Sequence, residues 1–279
     1  MKTRSLILAF LTPFLLQAQY YFNDIISTLE TNRQMKTYAA NKVKMVTATG
    51  FDANGVKATD FSEVQEVRDN GRTLKVSNRT GASFSAVYNR FDEQHRLSSV
   101  SDTTAAVQSV TTYQYDAAGR IARIENTVRD SANDFNQSEV HQWTYRADGT
   151  PSVMWRIING SDSLEIRFFP DEEGNPGDEK TFRRGIESAA VYYYYDEKRR
   201  MTDMVRYNTK FKRLMPDLMF EYDDNDRVIQ KITTTSSQSL GYLIWRYLFD
   251  EKGLKTKEAL FNDDKQLTGK IEYAYQFFP

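Results

Sequence analysis

Over much of the chain, aromatic and polar residues alternate with a period of two, break at a short polar turn, and then resume. The clearest stretch is Tyr113-Gln114-Tyr115, then Asp116-Ala117-Ala118-Gly119-Arg120, then Ile121. Residues two apart in a strand share a face. Tyr113/Tyr115, Trp143/Tyr145, Tyr193/Tyr195, Phe220/Tyr222 and Tyr247/Phe249 therefore each predict a strand that turns two rings toward one packed layer. The turn has a mechanism. Asp at its first position accepts from the backbone N–H two residues on, and Gly at its fourth takes positive φ, which gives a hairpin loop closed by a bulge. After the turn the aliphatic residues recur three apart, as in Leu97/Val100, Ile121/Ile124 and Met201/Met204. That spacing fits a strand when a bulge intervenes, so each unit predicts two antiparallel strands.

Further copies start at Phe51, Phe91, Tyr145, Tyr195, Tyr222 and Phe249, with imperfect ones at Phe169 and Phe261. From Phe91 to Phe249 they are spaced 24, 30, 24, 26, 27 and 27 residues apart, the mark of a repeat architecture. The fold expected is mainly β: an antiparallel meander of more than a dozen strands, forming a curved or solenoid-like sheet. Asp116, Gly119, Gly149 and Gly253 are its structural turn residues. His95, Arg199, Asp226 and Lys265 stand where four units would have Gly. A left-handed conformation there costs ~1 kcal/mol or more, so a different turn is expected at those four sites. Asn159-Gly160 predicts one more hairpin, and Asp69-Asn70-Gly71-Arg72 another turn.

The N-terminus differs in kind. Lys2 and Arg4 precede an apolar run from Leu6 to Leu16, and Ala18 offers a small residue before a cut ahead of Gln19. Residues 1–18 read as a signal peptide whose removal takes the net charge from −1 to −3. With no cysteine there is no lipid-bearing N-terminal Cys, so the expected destination is the periplasm. Residues 19–50 predict a helix capped by Asn23 or Asp24, carrying Ile25, Ile26 and Leu29 toward Ala40, and a capping strand over an exposed sheet edge. Residues 51–279 form the repeat domain.

The Tyr-Asp-x-x-Gly-Arg units, read over residues 50–275, resemble the YD repeats of the RHS family. Large RHS proteins form β-rich shells around toxins and carry an autoproteolytic core segment. Neither that segment nor a toxin domain is visible here, so encapsulation does not carry over. The segment Tyr20-Tyr21-Phe22-Asn23-Asp24-Ile25-Ile26, followed by short YD-like units, is also similar to small periplasmic proteins of Bacteroidota. These include the plug at the periplasmic end of the type 9 secretion translocon. This second resemblance implies a protein partner in the cell envelope, an outer-membrane secretion translocon.

Composition removes other classes. Thirty-seven basic against 38 acidic residues leave no electrostatic footprint for nucleic acid, and the basic stretch at Lys210, Lys212 and Arg213 reads as a charged loop. Absence of Cys removes thiol nucleophiles and Cys-held metals. Beyond the N-terminus no apolar run reaches the ~18 residues a spanning helix needs. Tyr273-Ala274-Tyr275-Gln276-Phe277-Phe278 is similar to an outer-membrane strand, yet Arg120–Glu125 lacks the alternation a lipid face needs.

His95 and His141 are the only imidazoles, and they read as turn and strand residues without a catalytic partner. Asp171-Glu172-Glu173, Asp223-Asp224 with Asp226, and Asp263-Asp264 read as solvated turns rather than glycosidase pairs or calcium ligands. No catalytic residue, metal or cofactor is expected. Tyr192 and Tyr194 alternate out of phase with Tyr193 and Tyr195, so they face the other side of the sheet as a candidate partner-binding surface. The function expected is that of an exported, non-catalytic interaction protein. The alternative is a carbohydrate-binding or carbohydrate-processing protein, for which exposed aromatics and turn carboxylates would serve.

Overall fold

A computed structural model describes residues 20–103, 107–130, 132–234 and 241–279. The expected signal peptide, residues 1–18, and its cleavage point lie outside the described residues.

One helix, α1 (Asn23–Ala40), precedes eighteen strands: β1 (Val43–Asp52), β2 (Phe61–Arg68), β3 (Thr73–Thr80), β4 (Ser83–Phe91), β5 (Leu97–Thr103), β6 (Val107–Tyr115), β7 (Ile121–Asp130), β8 (Phe135–Tyr145) and β9 (Pro151–Ile158). They continue as β10 (Asp162–Pro170), β11 (Pro176–Arg183), β12 (Ile186–Tyr195), β13 (Met201–Asn208), β14 (Arg213–Tyr222), β15 (Val228–Thr234), β16 (Tyr242–Phe249), β17 (Lys255–Phe261) and β18 (Leu267–Phe277). Each strand pairs antiparallel with its neighbours in sequence. β18 then pairs with β1, Tyr275 opposite Val46 and Ile271 opposite Gly50, so the ring is closed. The mainly β meander with one N-terminal helix is therefore present, but it is a barrel and not an open curved sheet or a solenoid. Spacing along the chain is the same in all three. Only the match between the first and last strands decides among them, and an even strand number lets that last pairing be antiparallel.

Closure also changes what the N-terminal elements do. β1 is paired on both edges, so no exposed edge is left for a capping strand or helix to cover. Nor does Asn23 or Asp24 cap the helix: Phe22 holds the N-cap position with no side-chain hydrogen bond.

The repeat turn is built as its residues dictate, with one addition. Asp116 Oδ1 accepts from the N–H groups of both Ala118 and Arg120 at 2.9 Å, while Oδ2 accepts from Arg120 Nε at 2.8 Å. The same scheme recurs at Asp92, Asp196 and Asp223 with Arg96, Arg200 and Arg227. Gly119, Gly149 and Gly253 have φ of 80°, 90° and 77°. His95, Arg199, Asp226 and Lys265, expected to force a different turn, adopt the same left-handed conformation, with φ of 55–60°. Two N–H bonds to the leading Asp in three of these turns, and one to Asn262 in the fourth, hold the turn in shape and offset the strain of the non-Gly residue. The β-bulge inferred from the three-residue spacing is present where register shifts at Tyr115, Tyr145, Tyr195, Tyr222 and Phe249. Asn159-Gly160 and Asp69-Asn70-Gly71 also turn the chain as predicted, with positive φ at all five residues.

Neighbouring turns are tied sideways. The guanidinium of Arg96 lies 4.5 Å over the Tyr115 ring of the next unit. Arg120 sits likewise over Tyr145 at 4.3 Å, Arg200 over Tyr222 at 4.8 Å and Arg227 over Phe249 at 4.9 Å. The tyrosine hydroxyls donate back to the previous unit, Tyr115 to Leu97 O at 2.8 Å and Tyr222 to Met201 O at 2.7 Å. The four hairpins that carry this ladder join even to odd strands and lie at one end of the barrel, the motif end; the similar turns led by Asp52 and Asn262 lie at the other.

The outer wall carries rows of paired charges. Glu66 meets Arg68 and Lys75, Arg123 meets Glu125, Arg167 meets Glu165, and Glu272 meets Lys257 and Lys270. Charged rows of this kind contradict a continuous lipid-facing band. Among the described residues no helix is long and apolar enough to cross a membrane.

Substituting the repeat glycine tests the turn assignment. Gly119→Val should destabilise by about 1–2 kcal/mol, because a β-branched residue is forced to positive φ. Lys265→Gly, which relieves the same strain, should be neutral or stabilising by up to about 1 kcal/mol. Chemical denaturation of both variants reads the difference, and equal losses would refute a shared turn geometry.

Candidate functional site

A ring of eighteen strands is wide enough to leave an aqueous channel, as porins of 16–18 strands do. Here α1 and the residues before it occupy that space at the motif end. Met35 and Tyr38 pack with Val43, Val67, Leu74, Phe91, Leu97 and Leu254. Tyr21 packs with Ile121, Trp143, Met154, Ile166 and Phe168. Tyr20, Phe22 and Ile26 meet Val191, Tyr193, Met201 and Met204. An element that touches β1 through β5, β7 through β10 and β12 through β14 at once must lie across the lumen.

Polar contacts fix it there. The carboxylate of Glu179, 1% exposed, accepts from the backbone N–H of Tyr21 at 3.1 Å, that of Phe22 at 2.9 Å and the Tyr193 hydroxyl at 2.6 Å. A wall residue thus holds the two N–H groups just ahead of the helix, while those of Asn23, Asp24 and Ile25 go to the carbonyls of Tyr20, Tyr21 and Phe22. Burial pushes its carboxyl up to about 7, against those three bonds.

Asp24 Oδ2 lies 2.6 Å from His141 Nδ1, and His141 Nε2 lies 2.9 Å from Glu139 Oε1. Arg156 closes the chain with bonds of 2.8 and 2.7 Å to the two oxygens of Glu139. Burial opposes a charge on the imidazole, but the carboxylates on both nitrogens outweigh it and hold His141 at about 9. Glu139 is drawn down to about 2, its burial being outweighed by His141 and Arg156. The imidazolium donates from both nitrogens.

Further along, Asn32 Oδ1 accepts the Leu97 N–H at 2.7 Å, Arg33 Nη1 donates to Asp226 O at 2.7 Å, and Tyr38 donates to Gln65 at 2.9 Å. Tyr20 bonds to Asp217, which is also held by Arg206. Burial lowers the ammonium of Lys231.

This chemistry positions and seals. Both nitrogens of His141 are committed to carboxylates, leaving none to activate a serine, and His95 lies away from it in the β4–β5 turn. His95 helps line a surface depression of ≈ 460 Å³ with Asp69, Asn70, Arg72, Asp92 and Glu93. Asp171 and Asp223 spend their oxygens on their own turns. Among the described residues no group of three or more His, Asp or Glu is placed to hold a metal ion.

Tyr193 and Tyr195 turn inward, whereas Tyr192 and Tyr194 stand on the outer wall, Tyr192 half-buried and Tyr194 49% exposed. Sequence reasoning missed the Asp24–His141–Glu139–Arg156 chain. Its helix and wall members are 117 residues apart, and the one local signal was Glu139 two positions before His141 on the same strand face.

Residues 91–130 match the RHS Repeat family model, so that stretch carries an RHS-like repeat. Of solved structures, TcdB2-TccC3-Cdc42 is 13% identical with a TM-score of 0.34, over 78% of this chain and 12% of that one. The Photorhabdus luminescens Tc holotoxin pore is 14% identical with a TM-score of 0.36, over the same two shares. A porin-like protein from Bacteroides uniformis is 9% identical with a TM-score of 0.42, over 84% of this chain and 98% of that one. The chain thus spans about an eighth of the length of the toxin chains it matches. No curated protein matches it.

Two titration steps follow from the helix seat. His141 gives its full contribution below about pH 6.5 and loses it as pH rises through about 9. Glu179, also raised, gives its full contribution below about pH 4.5 and loses it through about 7. His141→Gln should remove the upper step and cost about 3 kcal/mol near pH 6, because it leaves the half-buried Asp24 without a cation while Glu139 keeps Arg156. Glu179→Gln should remove only the lower step. Melting curves from pH 4 to 10 read both, and an unchanged upper step in His141→Gln would refute the assignment.

Proposed function

We propose that this protein is exported to the periplasm, turns over no substrate, and works by contact as a self-sealed barrel that seats against the pore of an outer-membrane secretion translocon. The observation that carries the reading is the lumen itself. The wall is wide enough to conduct, yet the chain's own helix and the residues before it cross it at the motif end, packed into three clusters of wall residues. A barrel that blocks itself and carries charged rows outside is suited to filling a channel rather than forming one. The carboxylates and imidazoles around the helix are engaged in holding it, which supports a contact role over catalysis. The resemblance of residues 20–26 and the units after them to small periplasmic proteins of Bacteroidota supports the destination and the partner class.

The outer-wall tyrosines are the part of this surface open to a partner, since aromatic rings concentrate binding energy. Tyr194→Ala should weaken capture of the translocon from native envelope by tenfold or more and leave the melting temperature unchanged. Planar-bilayer conductance of the isolated translocon should fall when the protein is added and recover with the variant. A translocon that neither copurifies with the protein nor changes conductance would overturn the reading.

A further inference from the structure

The two ends of the barrel differ in chemistry. At the motif end, Asp and Arg of four turns are paired with one another, and each Arg lies over an aromatic ring of the next unit. At the opposite end, two adjacent hairpins carry large apolar side chains into solvent. Ile186 at the β11–β12 tip is 74% exposed. On the β13–β14 hairpin, Tyr207 is 56% exposed, Leu214 45% and Phe211 37%. The tips lie roughly 10 Å apart, two inter-strand spacings. Between the apolar residues stand Arg184, Lys212 and Arg213, all exposed, and among the described residues none of the three is bonded to a carboxylate. Arg183 at the same tip is paired with Asp162 at 2.9 Å.

We propose that these two tips dock on an anionic lipid surface. Aliphatic and aromatic side chains flanked by Lys and Arg on projecting turns match a headgroup layer, which accepts shallow apolar insertion and supplies phosphate charge. A protein partner would need a complementary face of several hundred Å² per side, and two convex hairpin tips do not provide one. Charge favours the same occupant: three free cations are concentrated on a chain whose net charge is −1. The inference stands on the tips alone and goes beyond the translocon reading. A barrel that binds no translocon can still bind vesicles.

Co-sedimentation of the purified protein with phosphatidylcholine vesicles, with and without phosphatidylglycerol, tests it. The protein should pellet with the anionic vesicles only, and added salt should release it. Each cation near an anionic surface is worth about fivefold in affinity, about 1 kcal/mol. Arg184→Asn with Lys212→Asn and Arg213→Gln should therefore weaken binding roughly a hundredfold. Asn suits positions 184 and 212, whose φ values are both 52°. Ile186→Ser with Phe211→Ser should also weaken it, and melting curves should stay unchanged in both variants. The proposal is overturned if the anionic vesicles capture nothing or salt has no effect. It is equally overturned if polyglutamate captures the protein as tightly as the vesicles and the Ser variants bind like the parent, since the occupant would then be an acidic polypeptide.

Discussion

Closing eighteen strands into a ring creates a space that wall side chains alone cannot fill. A fold with that lumen left empty would lose the apolar burial that hairpin units need, because no single unit buries its own rings. The inward rings of the repeat require something to pack against, and α1 with the residues before it supplies it. Tyr20, Tyr21 and Phe22 reach two sides of the wall, while Met35 and Tyr38 reach a third. The barrel and its internal helix are therefore one cooperative unit, with the helix acting as the core of the motif end.

The wall meets the same problem in the other direction. Each turn is a small, solvent-facing loop with little to bury, yet many must stack in register around a circle. The Asp side chain fixes the loop, the following Arg is held by that Asp, and its free face lies over the next aromatic ring. The hydroxyl of that ring donates to the preceding strand. Asp, Gly, Arg and Tyr thus each do one part of joining a unit to its successor. Units led by Asp that lack Gly keep the conformation because the leading carboxylate makes two backbone bonds whichever residue sits fourth.

These dependencies explain what the sequence displayed and what it concealed. Strand pairs, turns and bulges are local, and Tyr113-Gln114-Tyr115 followed by Asp116 and Gly119 announces them within nine residues. The phase of Tyr192 and Tyr194 was legible for the same reason, since side-chain direction alternates strictly. Closure was not legible, because it depends on Val46 meeting Tyr275 across the whole chain. The helix was visible as a helix but not as the filling of a lumen. Its capping residues were misplaced because the helix begins earlier, at Phe22: the N–H groups of Asn23, Asp24 and Ile25 bond to the carbonyls of Tyr20, Tyr21 and Phe22, and Glu179, far along the chain, holds the two N–H groups before them. The role of His141 was hidden by the same separation.

The polar seat of the helix carries a further consequence. Apolar packing alone would let a helix slide or rotate within a wide lumen, because Leu, Ile and Tyr tolerate many neighbours. A buried carboxylate that must meet two particular N–H groups, and an imidazolium that must meet two particular carboxylates, tolerate one placement. Glu179 and His141 therefore set where α1 lies along the barrel axis, while the aromatic clusters supply most of its stabilisation. The motif end is consumed in this way by internal bonds: its Asp and Arg residues serve their own turns and its centre is filled by the helix. The outer wall around Tyr194 and the opposite end, where the hairpin tips keep their apolar and cationic groups in solvent, hold the aromatic and aliphatic side chains that this internal bonding leaves open.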